Sequence, residues 1–254
     1  MTQDLPAAAA SPHHHPHPHA SSDSYAGTPE ARAEWDRRYG EQDRMWSGRP
    51  NGALVAEVAG MAPGRVLDVG CGEGADAIWL ASNGWDVTAL DVSGVALERA
   101  AAHAAEAGVA VRWLHAGLVE AQLPSASFDL VSAHYPVLRR TPEAAAEHVL
   151  LDLVAPGGVL LFVHHAGMAD RHEHGHGGEH GHGGHEGHEG HDQDAANDFD
   201  PADHVWPAEV VAVLPDGWDV EVDELRPRTA PESGAGAHHA DDLVLRARRR
   251  RSAT

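Results

Sequence analysis

The chain has 254 residues, 42% of them hydrophobic, enough for one substantial core with sequence left over for tails and insertions. Its formal net charge of −21, from 18 basic against 39 acidic side chains, would repel a phosphate backbone, which argues against nucleic acid as the main substrate. A single cysteine, Cys71, excludes an intramolecular disulfide, no run approaches the roughly 20 apolar residues of a membrane span, and no basic-then-apolar leader opens the chain; a cytoplasmic protein without a membrane partner is expected.

Residues 1–28 are rich in Ala, Pro, Ser and His with no apolar periodicity, and are expected to form a disordered tail. The domain is expected to span 29–249, opening with a helix over 30–39 that puts Trp35 and Tyr39 on one face and ends at Gly40. From Arg65, short apolar runs alternate with longer helical ones. Strands are predicted at 65–69, 86–90, 110–114, 128–133 and 159–164, with helices at 75–82, 93–107 and 142–154 between them; Gly84 and Gly108 stand where the first two helices should stop. After His165 the pattern collapses into a flexible His/Gly/Glu-rich insertion over 168–198. It resumes with a helix at 207–213 and strands at 218–225 and 242–248, before a basic tail at 250–254. The prediction is an α/β, Rossmann-like doubly wound sheet of seven strands, mostly parallel.

The most informative stretch is Val66-Leu67-Asp68-Val69-Gly70-Cys71-Gly72-Glu73-Gly74-Ala75, a buried strand turning through a glycine-rich loop into a helix. Such a loop lets backbone approach a ligand closely beside the positive end of the helix. Gly70-x-Gly72-x-x-Ala75 also satisfies the dinucleotide fingerprint, so an NAD-dependent oxidoreductase stays open as an alternative. Asp68, immediately before the turn, favours the ammonium of a methionine moiety over a pyrophosphate. Asp91, at the end of the second strand, can accept from the hydroxyls of a ribose in either case.

Together Val66 to Gly74, Asp91 after Val87-Thr88-Ala89-Leu90, Ser127-Phe128-Asp129-Leu130-Val131 and Pro156-Gly157-Gly158 resemble the ordered motifs of class I methyltransferases dependent on S-adenosylmethionine (SAM). The resemblance implies that Asp68, Gly70, Cys71, Gly72 and Gly74 surround the amino-acid part of SAM. Asp91 would hold the ribose, and Gly117 with Leu118 the adenine, where Ala116-Gly117-Leu118 offers backbone and apolar contact in place of the family's frequent acid; Val92, next to Asp91, is counted among the cofactor-binding residues. Upstream, Trp35-Asp36-x-x-Tyr39 and Trp46-Ser47-Gly48-Arg49-Pro50-Asn51 are similar to the tellurite-resistance (TehB-type) and thiopurine-methyltransferase-like branch, in which an N-terminal segment closes over the cofactor. That implies methyl transfer to a small molecule, including soft sulfur, selenium or tellurium acceptors, with Trp46, Arg49 and Tyr135 near it. His134 and His164, at the ends of neighbouring strands, are the candidate catalytic bases.

Eight histidines in the insertion, His172, His174, His176, His180, His182, His185, His188 and His191, alternate with Gly and Glu. Neutral imidazoles on a flexible loop favour weak capture of Zn²⁺, Ni²⁺ or Cu²⁺, and a metal-handling protein on a methyltransferase fold is the other alternative. With no paired-cysteine motif, a structural zinc site is not expected.

Overall fold

The computed structural model describes residues 27–166, 200–228 and 239–251. Its helices are α1 (Pro29–Gly40), α2 (Gly52–Glu57), α3 (Ala75–Ser82), α4 (Gly94–Ala107), α5 (Ala145–Leu153) and α6 (Pro207–Ala212). The strands are β1 (Arg65–Val69), β2 (Asp86–Asp91), β3 (Arg112–His115), β4 (Phe128–His134), β5 (Val154–His165), β6 (Trp218–Pro227) and β7 (Asp241–Arg249). They form one sheet in the order β3-β2-β1-β4-β5-β7-β6. The β1 pairings with β2 and β4, β2 with β3, and β4 with β5 are parallel, while β7 runs antiparallel to both β5 and β6.

The central strands are apolar on both faces because both faces are covered. Leu67, Val69, Val131 and Phe162 pack on one side with Leu150 and Leu153 of α5 and Val210 of α6. Val66, Leu130, Leu161 and Val163 pack on the other with Leu54 of α2 and Ala77 and Leu80 of α3. Each such side chain contributes about 1.5–3 kcal/mol by leaving water. Phe162, fully buried on the interior strand β5, is where truncation to alanine would cost most, about 3–5 kcal/mol.

Several boundaries differ from the sequence expectation for identifiable reasons. Thr28 lies inside the ordered chain, its hydroxyl accepting from the Ala31 N–H and capping α1. The predicted helix at 142–154 begins only at Ala145, because Ala144 takes a left-handed conformation (φ +50°). β5 begins at Val154, since Pro156-Gly157-Gly158 is absorbed as a bulge: Phe128 pairs with Val154, yet Leu130 pairs with Val159. Gly158 is needed there, since a Cβ would sit 2.9–3.0 Å from three carbonyl oxygens. The six-residue α2 was not anticipated. The predicted tail up to residue 26, the insertion over 168–198 with its eight histidines, and residues 252–254 of the basic tail lie outside the described residues. Among the described residues, no helix is long and apolar enough to cross a membrane.

From β1 the chain moves outward to β2 and β3, then returns across β1 to β4 and β5. The loops leaving the carboxyl ends of β1 and β4 therefore diverge, opening a crevice where ligands bind in this architecture.

Candidate active site

The crevice is lined by Asp68, Gly70, Cys71, Gly72, Asp91, Val92, Gly117 and Leu118, by Arg49 and by Trp46 over the glycine loop, and by His134 and Tyr135 at the end of β4. The glycine loop is tied to β2 by the N–H groups of Gly70 and Cys71, both donating to the Leu90 carbonyl (2.9 and 3.0 Å). Asp91 braces it further, accepting from the Gly72 N–H at 2.8 Å and the Ser93 N–H at 2.9 Å. Burial pushes the Asp91 carboxyl up, and the N–H groups of Ser93, Gly72 and Val92 pull it back.

Asp68 is also buried, but only partly satisfied. The Ala77 N–H beside it pulls its pKa down only partly, while its Oδ2 has no hydrogen-bond partner among the described residues. Burial, then the charges of Asp76 and Asp91, push its carboxyl well above the usual range. A buried acceptor in this state is stabilised by a cation entering the crevice. The loop's glycines serve different ends. A Cβ on Gly72 (φ +52°) would lie 2.8 Å from the Tyr39 hydroxyl, so this glycine lets the N-terminal segment close down. Gly74 (φ +82°) is absent from the crevice lining. Its missing side chain admits Ala100 of α4 and Trp113 of β3, each 2.9 Å from where a Cβ would be, so this glycine is needed for packing.

Glu73 was not anticipated from sequence, yet it latches the N-terminal cover. Its buried carboxylate accepts from the N–H groups of Met45 and Trp46 and from Arg99. Arg99 also donates to the Tyr39 carbonyl, and Trp46 Nε1 to the Tyr39 hydroxyl. Asp76 holds the next stretch, accepting from the Asn51 N–H (2.7 Å) and Nδ2 (2.8 Å). Asp36 of α1 accepts from Ser93 Oγ and the Val95 N–H at the start of α4. Trp35, Tyr39 and Trp46 thus roof the loop, while Arg49 reaches the crevice with no hydrogen bond or ion pair to its guanidinium among the described residues.

At the other end, Tyr135 follows β4 with φ +53°, an unusual state for a bulky residue. Several contacts hold it there. Its N–H donates to the Val163 carbonyl at 2.8 Å, its hydroxyl donates to Asp242 and accepts from Arg228 Nε at 3.0 Å, and its ring stacks on His165 at 3.8 Å. Burial and the Asp242 charge raise its phenol further.

The two histidines singled out from sequence occupy different surroundings. His134 borders the crevice, but its Nδ1 faces Ser132 Oγ (3.1 Å) and Asp76 (3.7 Å). Its Nε2 is buried without a partner among the described residues, and burial lowers its pKa. His164 is not part of the lining: its ring packs on Trp206 at 4.0 Å, and burial pushes its pKa down to about 3. Side chains alternate along a strand, so it is His165 that turns into the crevice. No cluster of metal-binding side chains occurs among the described residues.

Residues 66–158 match the family described as a methyltransferase domain. An uncharacterized methyltransferase of Mycobacterium bovis is 37% identical over 122 residues, a match covering 48% of this chain and 61% of that relative. Among solved structures, one described under the conversion of a disulfide bond into a thioacetal group during echinomycin biosynthesis has a TM-score of 0.62 at 21% identity, covering 88% of this chain and 94% of the other. The N-methyltransferase NodS of Bradyrhizobium japonicum, in complex with S-adenosylhomocysteine, has a TM-score of 0.57 at 20% identity, covering 85% and 97%. TehB of Haemophilus influenzae has a TM-score of 0.50 at 13% identity, covering 87% and 67%, which shows the shared fold and not membership of its branch. The chain therefore has the Rossmann-like α/β fold of these structures, its residues 66–158 match the methyltransferase-domain family, and it spans about three fifths of the length of the curated relative it matches.

Proposed function

We propose that the protein binds SAM in the crevice and transfers its methyl group to a small-molecule acceptor held at the ends of β4 and β5. The observation that carries this reading is the Asp68 carboxylate, whose Oδ2 is buried with no partner among the described residues and whose pKa is raised by burial and by neighbouring acids. An ammonium entering beside it relieves that cost, whereas a pyrophosphate would add to it. SAM supplies an electrophilic methyl on a sulfonium.

Asp68 would hold the amino group, Gly70 to Gly72 the adjoining backbone, Asp91 the ribose hydroxyls, and Val92, Gly117 and Leu118 the flat face of the adenine. The cover latched by Glu73 excludes water from the sulfonium side. Positioning and water exclusion are the protein's main contributions to an in-line displacement. The roof of Trp35, Tyr39 and Trp46, with Arg49 at its edge, supports the kinship with the tellurite-resistance branch, so tellurite, selenite and thiols belong in the acceptor screen.

Calorimetric titration of metal-free protein with SAM and S-adenosylhomocysteine, with NADH as control, tests the reading. Micromolar binding of the adenosyl ligands alone is expected. Binding of NADH alone would overturn it, as would no binding of either.

A further inference from the structure

We infer that Arg49 holds the α-carboxylate of the bound cofactor's amino-acid moiety, so that the crevice reads both charges of that moiety, the ammonium at Asp68 and the carboxylate at Arg49. The inference deepens the methyl-transfer reading above and rests on it. It starts from an imbalance of charge. Asp68, Glu73, Asp76 and Asp91 all border the crevice and are all more than nine-tenths buried. Glu73 is paired with Arg99 at 3.0 Å, whereas Asp68 and Asp91 have no arginine at salt-bridge distance among the described residues. A ligand that brings an ammonium to Asp68 also carries a carboxylate on the same carbon. That second charge enters an acidic neighbourhood and needs a cation of its own.

The chain has no lysine, so the cation must come from arginine or histidine. Among the described residues the crevice is lined by two arginines, Arg49 and Arg228. Arg228 belongs to the far end, where its Nε donates to the Tyr135 hydroxyl at 3.0 Å and lies 3.7 Å from Asp242. Arg49 is tied to the cofactor end by the chain on either side of it. Three residues earlier the Trp46 N–H donates to Glu73 at 3.0 Å, and two residues later Asn51 donates to Asp76 through its N–H at 2.7 Å and its Nδ2 at 2.8 Å. Glu73 and Asp76 carry the glycine loop into α3, and two residues of extended chain span at most about 7 Å. Between these ties the backbone turns, with Gly48 at φ +72° and the Arg49 N–H donating to Ser47 Oγ at 3.2 Å. The Arg49 guanidinium itself has no hydrogen bond or ion pair among the described residues.

The neighbouring donors are already committed. The N–H groups of Gly70 and Cys71 donate to the Leu90 carbonyl, that of Gly72 to Asp91, and Trp46 Nε1 to the Tyr39 hydroxyl. His134 has a partnerless Nε2, but burial lowers its pKa, so the ring brings no charge to offset an anion. A guanidinium is suited to the task, since two parallel N–H groups match the two oxygens of a carboxylate. Arg49 is an exposed residue, so water and salt screen the pair and its effect on affinity is expected to be about tenfold. The resemblance of the upstream segment implied an acceptor contact for Arg49; its anchorage at Glu73 and Asp76 argues for the cofactor instead.

Calorimetry on the full-length protein decides this by comparing S-adenosylhomocysteine with its decarboxylated analogue, which keeps the adenosine and the amine and lacks only the carboxylate. The wild type is expected to bind S-adenosylhomocysteine about tenfold more tightly than the analogue. In Arg49→Gln that preference is expected to vanish through loss of S-adenosylhomocysteine affinity alone, with analogue affinity within about twofold of wild type. Arg49→Lys, which keeps the charge and loses the fork, is expected to lie between them. Raising the salt concentration should narrow the wild-type preference and leave Arg49→Gln without one. Equal affinity of the wild type for the two ligands overturns the carboxylate contact without recourse to any variant. So does an Arg49→Gln protein that keeps the preference, or one that loses the same factor for both ligands, which would mark a part in seating the cover. Binding of neither adenosyl ligand by the wild type would sink the methyl-transfer reading itself, and this inference with it.

Discussion

The two ends of the crevice are built in different ways. The end at β1 and β2 is made mostly from neighbours in sequence, with Asp68 to Gly72 on one turn and Asp91 to Ser93 on the next, joined by backbone hydrogen bonds. The end at β4 and β5 is assembled from distant pieces: Tyr135, His165, Arg228, His239 and Asp242 meet only because β7 inserts antiparallel beside β5. A local turn with three glycines admits a common ligand through backbone geometry. A composite of side chains from separate strands can change without disturbing that turn, which is how one fold accommodates different acceptors.

If this division holds, changes at the first end should alter SAM affinity while changes at the second alter turnover. The largest effect is expected from Asp91→Ala, which removes the acceptor of the Gly72 and Ser93 N–H groups together with the proposed ribose contacts. A loss of SAM affinity of about 100-fold is expected by calorimetry, at about 1.5–3 kcal/mol for each hydrogen bond to a charged group. A folded variant binding within about threefold of wild type would break the assignment. Gly74→Ala should act on stability instead, since its Cβ would meet Ala100 and Trp113 at 2.9 Å in a left-handed backbone. A loss of about 2 kcal/mol is expected in urea unfolding, with affinity retained by the folded fraction.

Asp68→Asn separates function from stability. A carboxyl whose pKa is raised on folding contributes stability while protonated, and loses it as pH rises through the raised value. The asparagine never acquires that charge, so in the absence of ligand the variant should match wild type at low pH and melt a few degrees higher as pH rises above the ordinary carboxylate range, where the unfolded wild-type chain ionises first. SAM affinity should nonetheless fall about tenfold, or 1.4 kcal/mol; a variant that loses no affinity would remove the ammonium from this position. Glu73→Gln should loosen the cover, giving faster amide exchange around Met45 and Trp46 and a severalfold faster release of S-adenosylhomocysteine in stopped flow. The smallest effect belongs to His164→Gln: affinity and kcat within about twofold of wild type, because the ring packs on Trp206 outside the crevice lining. A large loss of kcat there would make His164, one of the two histidines the sequence suggested, a catalytic base after all.

Legibility in the sequence followed the range of the interactions. The strand cores, α3, α4 and the left-handed cap at Gly108 were readable because periodicity and capping act over a few residues. The six-residue α2 was not, being too short to show a period. Glu73 reads as one more residue of a glycine loop, since its partners Met45, Trp46 and Arg99 lie 26 to 28 positions away. The histidines at the end of β5 show how fine the margin is: a shift of one residue along a strand exchanges one face for the other, and only the pairing of Phe162 with Ala133 and Leu245 sets that phase.

By itself, then, the sequence determined the alternating α/β pattern, the glycine turn after β1 and the acids Asp68 and Asp91, because apolar periodicity, backbone freedom at glycine and a strand-end carboxylate are properties of short segments. Tertiary structure decided that Asp68 has a buried oxygen with no partner among the described residues, that Gly74 packs a helix, that Glu73 latches the cover, and that His165 faces the crevice while His164 faces the core. Each of those depends on which distant side chains exclude water from a given atom, and water exclusion is a property of the folded chain.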